Sequence, residues 1–138
     1  MSNTKGTSAI VPPSGGGAQS GMGEKFSPQI IIGNNVSIQK DCHIGAINRI
    51  VLGNNVLLAS KVFITDHSHG KATKEDIFFH PSQRKLFTKG PVIIEDNVGL
   101  GALCTIDKGV SGDTTIGAGT KIDNQVHVGH DTIIGKDV

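Results

Sequence analysis

The chain has 138 residues with 13 basic and 12 acidic side chains, and its formal charge of +1 offers no field that would gather nucleic acid. Aromatic residues make up 4%, with no Trp or Tyr, so no base-stacking surface is expected. No run approaches the ~18 apolar residues of a membrane span, and no charged segment leading into an apolar one marks a secretory signal.

Residues 1–28 have no periodic pattern. They carry Pro12-Pro13 and the low-complexity run Ser14-Gly15-Gly16-Gly17-Ala18-Gln19-Ser20-Gly21, and are expected to form a flexible tail outside the fold. The folded domain is placed at 29–138.

From Ile32 onward aliphatic residues recur every six positions: Ile32, Ile38, Ile44. After a two-residue slip at Arg49-Ile50 they resume as Leu52, Leu58, Ile64. After a loop they resume as Ile94, Leu100, Ile106. A four-residue insertion around Ser111-Gly112-Asp113 precedes Ile116, Ile122, Val128 and Ile134. A second small or β-branched residue follows four positions after each start: Val36, Cys42, Val56, Val62, Val98, Cys104, Val110, Thr120, Val126. Cys42 and Cys104 therefore read as inward, buried thiols, with the cytoplasm as the expected compartment. Turns such as Gly33-Asn34-Asn35 and Gly53-Asn54-Asn55 supply residues that accept left-handed backbone at corners.

A six-residue period fits neither the alternation of a plain hairpin sheet nor an amphipathic helix. It fits a short strand plus a corner. Three such units close a triangular coil, coils stack ~4.8 Å apart, and the result is the hexapeptide β-helix, an all-β solenoid. About four and a half coils are expected, the last unfinished.

One loop, 70–91, interrupts the repeat. It holds Phe78, Phe79 and Phe87, and the cations Lys71, Lys74, Arg84, Lys85 and Lys89 against Glu75 and Asp76. Loops of this length inside a compact domain are usually functional. An apolar tip suits covering a neighbour or substrate, and the charge suits phosphate; a solvated excursion at a subunit seam is the plainer reading.

Three stretches carry a resemblance. They are Ala46-Ile47-Asn48-Arg49-Ile50-Val51-Leu52-Gly53-Asn54-Asn55-Val56-Leu57-Leu58, then Ile64-Thr65-Asp66-His67-Ser68-His69-Gly70, then Lys89-Gly90-Pro91-Val92-Ile93-Ile94-Glu95-Asp96-Asn97-Val98. Together, over roughly residues 29–105, they resemble the sugar O-acetyltransferases of the hexapeptide-repeat superfamily, relatives of the maltose, galactoside and xenobiotic acetyltransferases. Thr105-Ile106-Asp107-Lys108-Gly109, Gly112-Asp113-Thr114-Thr115-Ile116-Gly117 and Lys121-Ile122-Asp123-Asn124-Gln125-Val126-His127-Val128-Gly129-His130-Asp131 resemble instead, over 105–138, the UDP-3-O-acylglucosamine N-acyltransferases. Gly129-His130-Asp131 is also similar to sialic-acid and nucleotide-sugar N-acetyltransferases.

The resemblance implies a left-handed winding, a homotrimer and an acyl thioester co-substrate, acetyl-CoA or another acyl-CoA, with a sugar or small-molecule acceptor. His67 matches the general base, a task suited to an imidazole titrating near neutrality, and Asp66 and His69 stand where they could orient it. The amide that binds the thioester carbonyl falls at Ala102, beside Gly101, where a small side chain permits close approach. Asn124 falls beside the pantetheine arm, and the loop cations Lys85 and Lys89 are expected to hold coenzyme A phosphates. In the second part His130 matches the catalytic histidine and is a second candidate base. Gly99 stands where the family commonly has Trp, and the family's substrate-positioning Asn finds only Gln39 or Asp41 nearby.

Alternatives stay open. Asp66 and His69 fit a polar loop entrance equally well. His43 and His127 read as solvated edges, His80 as a loop residue, and Asp107 and Asp113 as turn formers. No metal ligands are assigned. The competing function classes are an inactive, structural hexapeptide-repeat protein and a metal-dependent enzyme of the carbonic anhydrase type, with His67-Ser68-His69 and a third His across an interface. Val128, Ile134 and Val138 would leave an apolar end, where the last coil frays or trimers pair end to end.

Overall fold

The computed structural model describes residues 24–138 and, before them, the backbone of two strands, β1 (Ser2–Thr4) and β2 (Ala9–Val11). The Gly/Ser-rich run 14–21 lies outside the described residues. Coil 1 is built from β3 (Gln29–Ile32), β4 (Val36–Ile38) and β5 (His43–Gly45), and coil 2 from β6 (Arg49–Leu52), β7 (Leu57–Leu58) and β8 (Phe63–Thr65). The loop follows, closed at its base by β9 (Ser68–His69) paired antiparallel with β10 (Leu86–Phe87). Coil 3 is β11 (Val92–Ile94), β12 (Gly99–Leu100) and β13 (Thr105–Ile106); coil 4 is β14 (Thr114–Ile116), β15 (Lys121–Ile122) and β16 (His127–Val128); β17 (Ile133–Ile134) begins a fifth.

Equivalent strands stack in parallel and make three faces. The first face is β3-β6-β11-β14-β17, the second β4-β7-β12-β15 and the third β5-β8-β13-β16. This is an all-β parallel solenoid, and its strand length and stacking agree with the left-handed β-helix that the resemblance implies. The register is the one set by the aliphatic repeat. Ile32 pairs with Leu52, Leu52 with Ile94, Ile94 with Ile116 and Ile116 with Ile134. Ile38, Leu58, Leu100 and Ile122 align on the second face, and Ile44, Ile64, Ile106 and Val128 on the third.

These columns, with Val36, Val56, Val62, Val98 and Cys104, form one cluster along the axis, buried except at Ile38, Ile44, Ile122 and Ile134, which pack against it partly buried. Each fully buried Val, Leu or Ile contributes roughly 1.5–3 kcal/mol. Cys104 is buried and donates its thiol to Asp123 O at 3.0 Å, while Cys42 is half-buried and donates to Ala59 O at 3.1 Å; neither is in a disulfide. Val110 departs from the pattern. It is exposed, because the insertion after it lifts the chain away from the axis.

Corners follow the same period. Asn35, Asp41, Asn55, Lys61, Asn97, Leu103, Gln125, Asp131 and Asp137 all have φ between 54° and 63°, the left-handed region. There the backbone amide turns toward the neighbouring coil: Asn55 N donates to Asn34 O, Lys61 N to Lys40 O and Leu103 N to Ser60 O. At the start of the solenoid β1 and β2 pair antiparallel with β4 and β3, so the first edge of these two faces is hydrogen-bonded. Those strands fall within the 1–28 stretch, where the sequence shows no repeat.

Candidate active site

Two of the three edges of the prism are regular. The third, between β5, β8, β13 on one side and β6, β11, β14 on the other, collects every irregularity. The two-residue slip of coil 1, the extruded loop of coil 2 and the insertion of coil 3 all leave from this edge. A regular hexapeptide corner satisfies its own amides through the coil stacking. Extra residues break that arrangement and leave amides that need other acceptors.

Asp66 supplies one set. It is fully buried, and its Oδ1 and Oδ2 accept from Ile47 N and Asn48 N, both at 2.8 Å, across the coil 1 slip. The same Oδ1 lies 3.0 Å from His67 Nδ1. A carboxylate only accepts, so His67 Nδ1 is the donor in this contact, and in the neutral ring the lone pair is on Nε2. Thr65 Oγ1 stands 3.3 Å from the same Nδ1. The His67 side chain is 10% exposed. Gly45 lies against the ring: a Cβ there would make ordinary contact with His67 Cε1 at 3.5 Å and would press on His43 Nε2 at 2.9 Å.

Asp131 supplies the second set. Its Oδ1 accepts from Val110 N at 2.7 Å, Ser111 N at 2.9 Å and Gly112 N at 3.0 Å, capping the insertion. Its Oδ2 lies 3.0 Å from His130 Nδ1. The Ser111 amide above all, with His130 and the Gly112 and Val110 amides, holds the Asp131 carboxyl far below the usual carboxylate value. The insertion closes tightly over Gly109, where a Cβ would collide with Gly112 O.

His67 and His130 line one cleft of about 160 Å³, with Thr65, Ser68, Asp107 and Lys108. The two candidate bases of the sequence are thus brought together on one edge of one chain. The sequence reading left Thr65, Ser68 and Lys108 out. The signal that could have found them is register: all sit on the coils flanking the three irregular corners.

Other expected residues lie elsewhere. His69 is exposed on β9, beyond His67. Gly101, Ala102 and Asn124 stand on a different edge, the corner between the second and third faces. There Ala102 N donates to Asn124 Oδ1 at 2.8 Å, so within the chain that amide is already bonded. Lys121 pairs with Gly99, and its side chain would touch a Cβ at that position at 3.2 Å while its Nζ donates to Asn97 O. The room beside Gly99 is filled by a lysine. Lys85 lines a cavity of about 300 Å³ inside the loop with Lys71, Arg84, Phe79 and Phe87, whereas Lys89 is exposed at the loop's end. Asp76 organises that loop, accepting from Lys71 N at 2.6 Å, a bond that holds its carboxyl below the usual range. Lys71 and Lys108 stand over the Phe87 ring at 5.4 and 5.0 Å, which ties the loop base to coil 3 beside the cleft.

His43 is exposed and stacks on Phe63 with 4.7 Å between ring centroids. His127 is exposed, 2.7 Å from Thr105 Oγ1 and 3.4 Å from Asp107 Oδ2. His80 caps the turn Pro81–Gln83. Among the described residues no group of three or more His, Cys, Asp or Glu is arranged to hold a metal ion. Nor is any helix among them long and apolar enough to cross a membrane.

Fold and repeat together define a hexapeptide-repeat β-solenoid. The chain is homologous to UDP-3-O-acylglucosamine N-acyltransferases. The one from Bradyrhizobium diazoefficiens is 43% identical over 101 residues, 70% of this chain and 27% of the relative. Those from Rhodopseudomonas palustris and Rhizobium rhizogenes are 42% identical over 100 residues and 43% over 88, covering 70% and 62% of this chain and 26% and 22% of theirs. The chain therefore spans about a quarter of the length of the curated relatives it matches. A match of 101 residues cannot fit within 105–138, so the likeness to N-acyltransferases also takes in the middle of the chain. No protein-family model matches the chain, and no solved structure matches it significantly.

Proposed function

We propose that the chain carries the catalytic solenoid of an acyltransferase, moving an acyl group from a thioester to the amine or hydroxyl of a sugar or small-molecule acceptor. One observation carries this reading: a nearly buried imidazole on the cleft whose Nδ1 is held by a fully buried carboxylate, which leaves Nε2 as the nitrogen that can accept a proton. In the reaction the acceptor attacks the thioester carbonyl carbon and His67 Nε2 takes its proton as the new C–N or C–O bond forms. The C–S bond then breaks, and the departing thiolate takes that proton from the imidazolium. The names of the relatives favour an amine on a nucleotide-linked glucosamine.

The donor is a coenzyme A thioester, acetyl-CoA or a longer acyl-CoA, with a carrier-protein thioester as the other form to test. Ala102 and Asn124 lie on a different edge from His67, so both sets of residues meet a single substrate only between subunits. This separation supports a homotrimer with the donor in the seam. A stable monomer at micromolar concentration in sedimentation would exclude that assembly. The chemistry itself is tested by incubating the protein with each donor and UDP-3-O-acylglucosamine, following free thiol and acylated product by mass spectrometry. Absence of both with every donor would favour the second reading, an inactive structural solenoid. The bonded Ala102 amide and the lysine over Gly99 are the observations on that side.

A further inference from the structure

The cleft holds two copies of one device. At each, a carboxylate captures the stray amides of an irregular corner on the preceding coil and presents an oxygen to the Nδ1 of the adjoining histidine. Asp66 does so for Ile47, Asn48 and His67, and Asp131 for Val110, Ser111, Gly112 and His130. The irregular corners share an edge, so both histidines line the same cleft. His130 stands two coils from His67, so their backbones are roughly 10 Å apart at ~4.8 Å per coil. The two differ in burial: the His67 side chain is 10% exposed and that of His130 65%.

A hydroxyl acceptor gives up one proton during acyl transfer, and one base is enough. An amine, protonated near neutrality, must give up two. The first makes it a nucleophile and the second leaves as the amide forms. Two imidazoles in unlike surroundings on one cleft match this need.

Building on the acyltransferase reading, we propose that His67 and His130 of a single chain act as a pair on an amine acceptor, His130 taking the first proton and His67 the second. The steps balance. His130 Nε2 removes a proton from R–NH3+ and returns it to solvent at the cleft mouth. The free amine attacks the thioester carbon, forming C–N, and its second proton passes to His67 Nε2. The C–S bond breaks with its electron pair on sulfur, and the thiolate takes that proton from His67. The products are an amide, a thiol and one released proton. The charged groups facing His130 are Asp131, Lys108 and the Asp107–His127 pair; those facing His67 are Asp66, Asp107, Lys108 and, across Gly45, His43.

The test compares two acceptors, UDP-3-O-acylglucosamine and its analogue with a hydroxyl in place of the amine, from about pH 6 to about pH 10. The donor is whichever thioester the wild-type chain turns over. His130→Ala and His130→Gln should lose about 10²-fold in kcat/KM on the amine near neutrality. They should recover most of it at the alkaline end, where the amine is already neutral, and match wild type on the hydroxyl. His67→Ala should be slow on both acceptors at every pH. Melting curves of the variants should overlay the wild type. Variants of His130 that are unimpaired on the amine, or equally impaired on both acceptors at all pH values, would overturn the pairing and leave His67 as the base. Normal turnover by His67→Ala would overturn the base assignment itself, and no thiol release by the wild type with any donor would overturn both.

Discussion

Asp66 is the residue through which the fold holds His67. The carboxylate is buried, is bonded to two amides of the coil before it, and keeps one oxygen 3.0 Å from the imidazole Nδ1. The ring is therefore oriented by a group that the fold cannot easily move. Structural and chemical roles separate at this pair, and variants at each should show it.

His67→Ala should lower turnover by ~10²–10⁴ while leaving the melting temperature near wild type. The ring lies outside the axial cluster, and Asp66 keeps both of its backbone partners without it. Steady-state thiol release beside a thermal melt checks this; unchanged turnover would remove His67 as the base.

Asp66→Ala should behave differently. Two amides lose their acceptor, and each group so stranded costs ~1–3 kcal/mol. The variant should lose both stability, in a urea titration, and turnover, because His67 is no longer oriented. A variant that loses turnover at wild-type stability would show that the amides find other acceptors.

How much of this was legible in the sequence differs from residue to residue. The column Ile32, Leu52, Ile94, Ile116, Ile134 could be read directly, because a six-residue period fixes which side chain meets the axis and which stacks on which. Val110 could not, since its fate depends on where the following insertion turns outward. The burial of Asp66 was hidden for a related reason. A polar residue at a loop entrance looks solvated until the slip nearly twenty residues earlier is stacked beneath it. The hairpin at the loop base, two residues on each strand, is too short to leave a periodic signal. That His67 and His130 share a cleft follows only from counting the corners on which the slip, loop and insertion fall.

The axial register predicts a contrast between neighbours. Leu58 is fully buried between Ile38 and Leu100, whereas Leu57 is 44% exposed on the outer side of the same strand. Leu58→Ala should cost ~2–5 kcal/mol, and Leu57→Ala within about 0.5 kcal/mol. Equal losses in denaturant titrations would mean that the register is wrong by one residue.

Leu103 sits at φ 63° on an exposed corner; the equivalent corners of the other coils are Asp41, Lys61 and Gln125, and those of the adjoining edge include Asn35, Asn55 and Asn97. The left-handed conformation costs a side chain like leucine roughly 1–2 kcal/mol, and asparagine less. Leu103→Asn should therefore raise stability by about 1 kcal/mol, read as a higher urea midpoint at unchanged slope. A lower midpoint would show that the leucine makes a contact worth more than the strain.

Acid should undo the Asp131 corner before it touches the core. The three amides and His130 hold this carboxyl below its ordinary value of 3.8, so the folded state binds its proton less readily than the unfolded chain does. The sign follows from linkage: whatever stability the cap supplies is complete well above pH 3.8 and is lost progressively as the pH falls below it toward the folded value. Asp131→Asn removes the titrating group while keeping a side-chain oxygen. Wild type should exceed this variant in stability near neutrality, and the gap should shrink steadily once the pH drops below the ordinary carboxylate value. Because the cap anchors the insertion and His130, local hydrogen exchange at Val110, Ser111 and Gly112 should rise over the same acid range while Leu58 and Leu100 stay protected. Protection at the three corner amides that does not change on acidification, or a gap between the two proteins that is independent of pH, would show that the carboxylate charge is not what holds this corner.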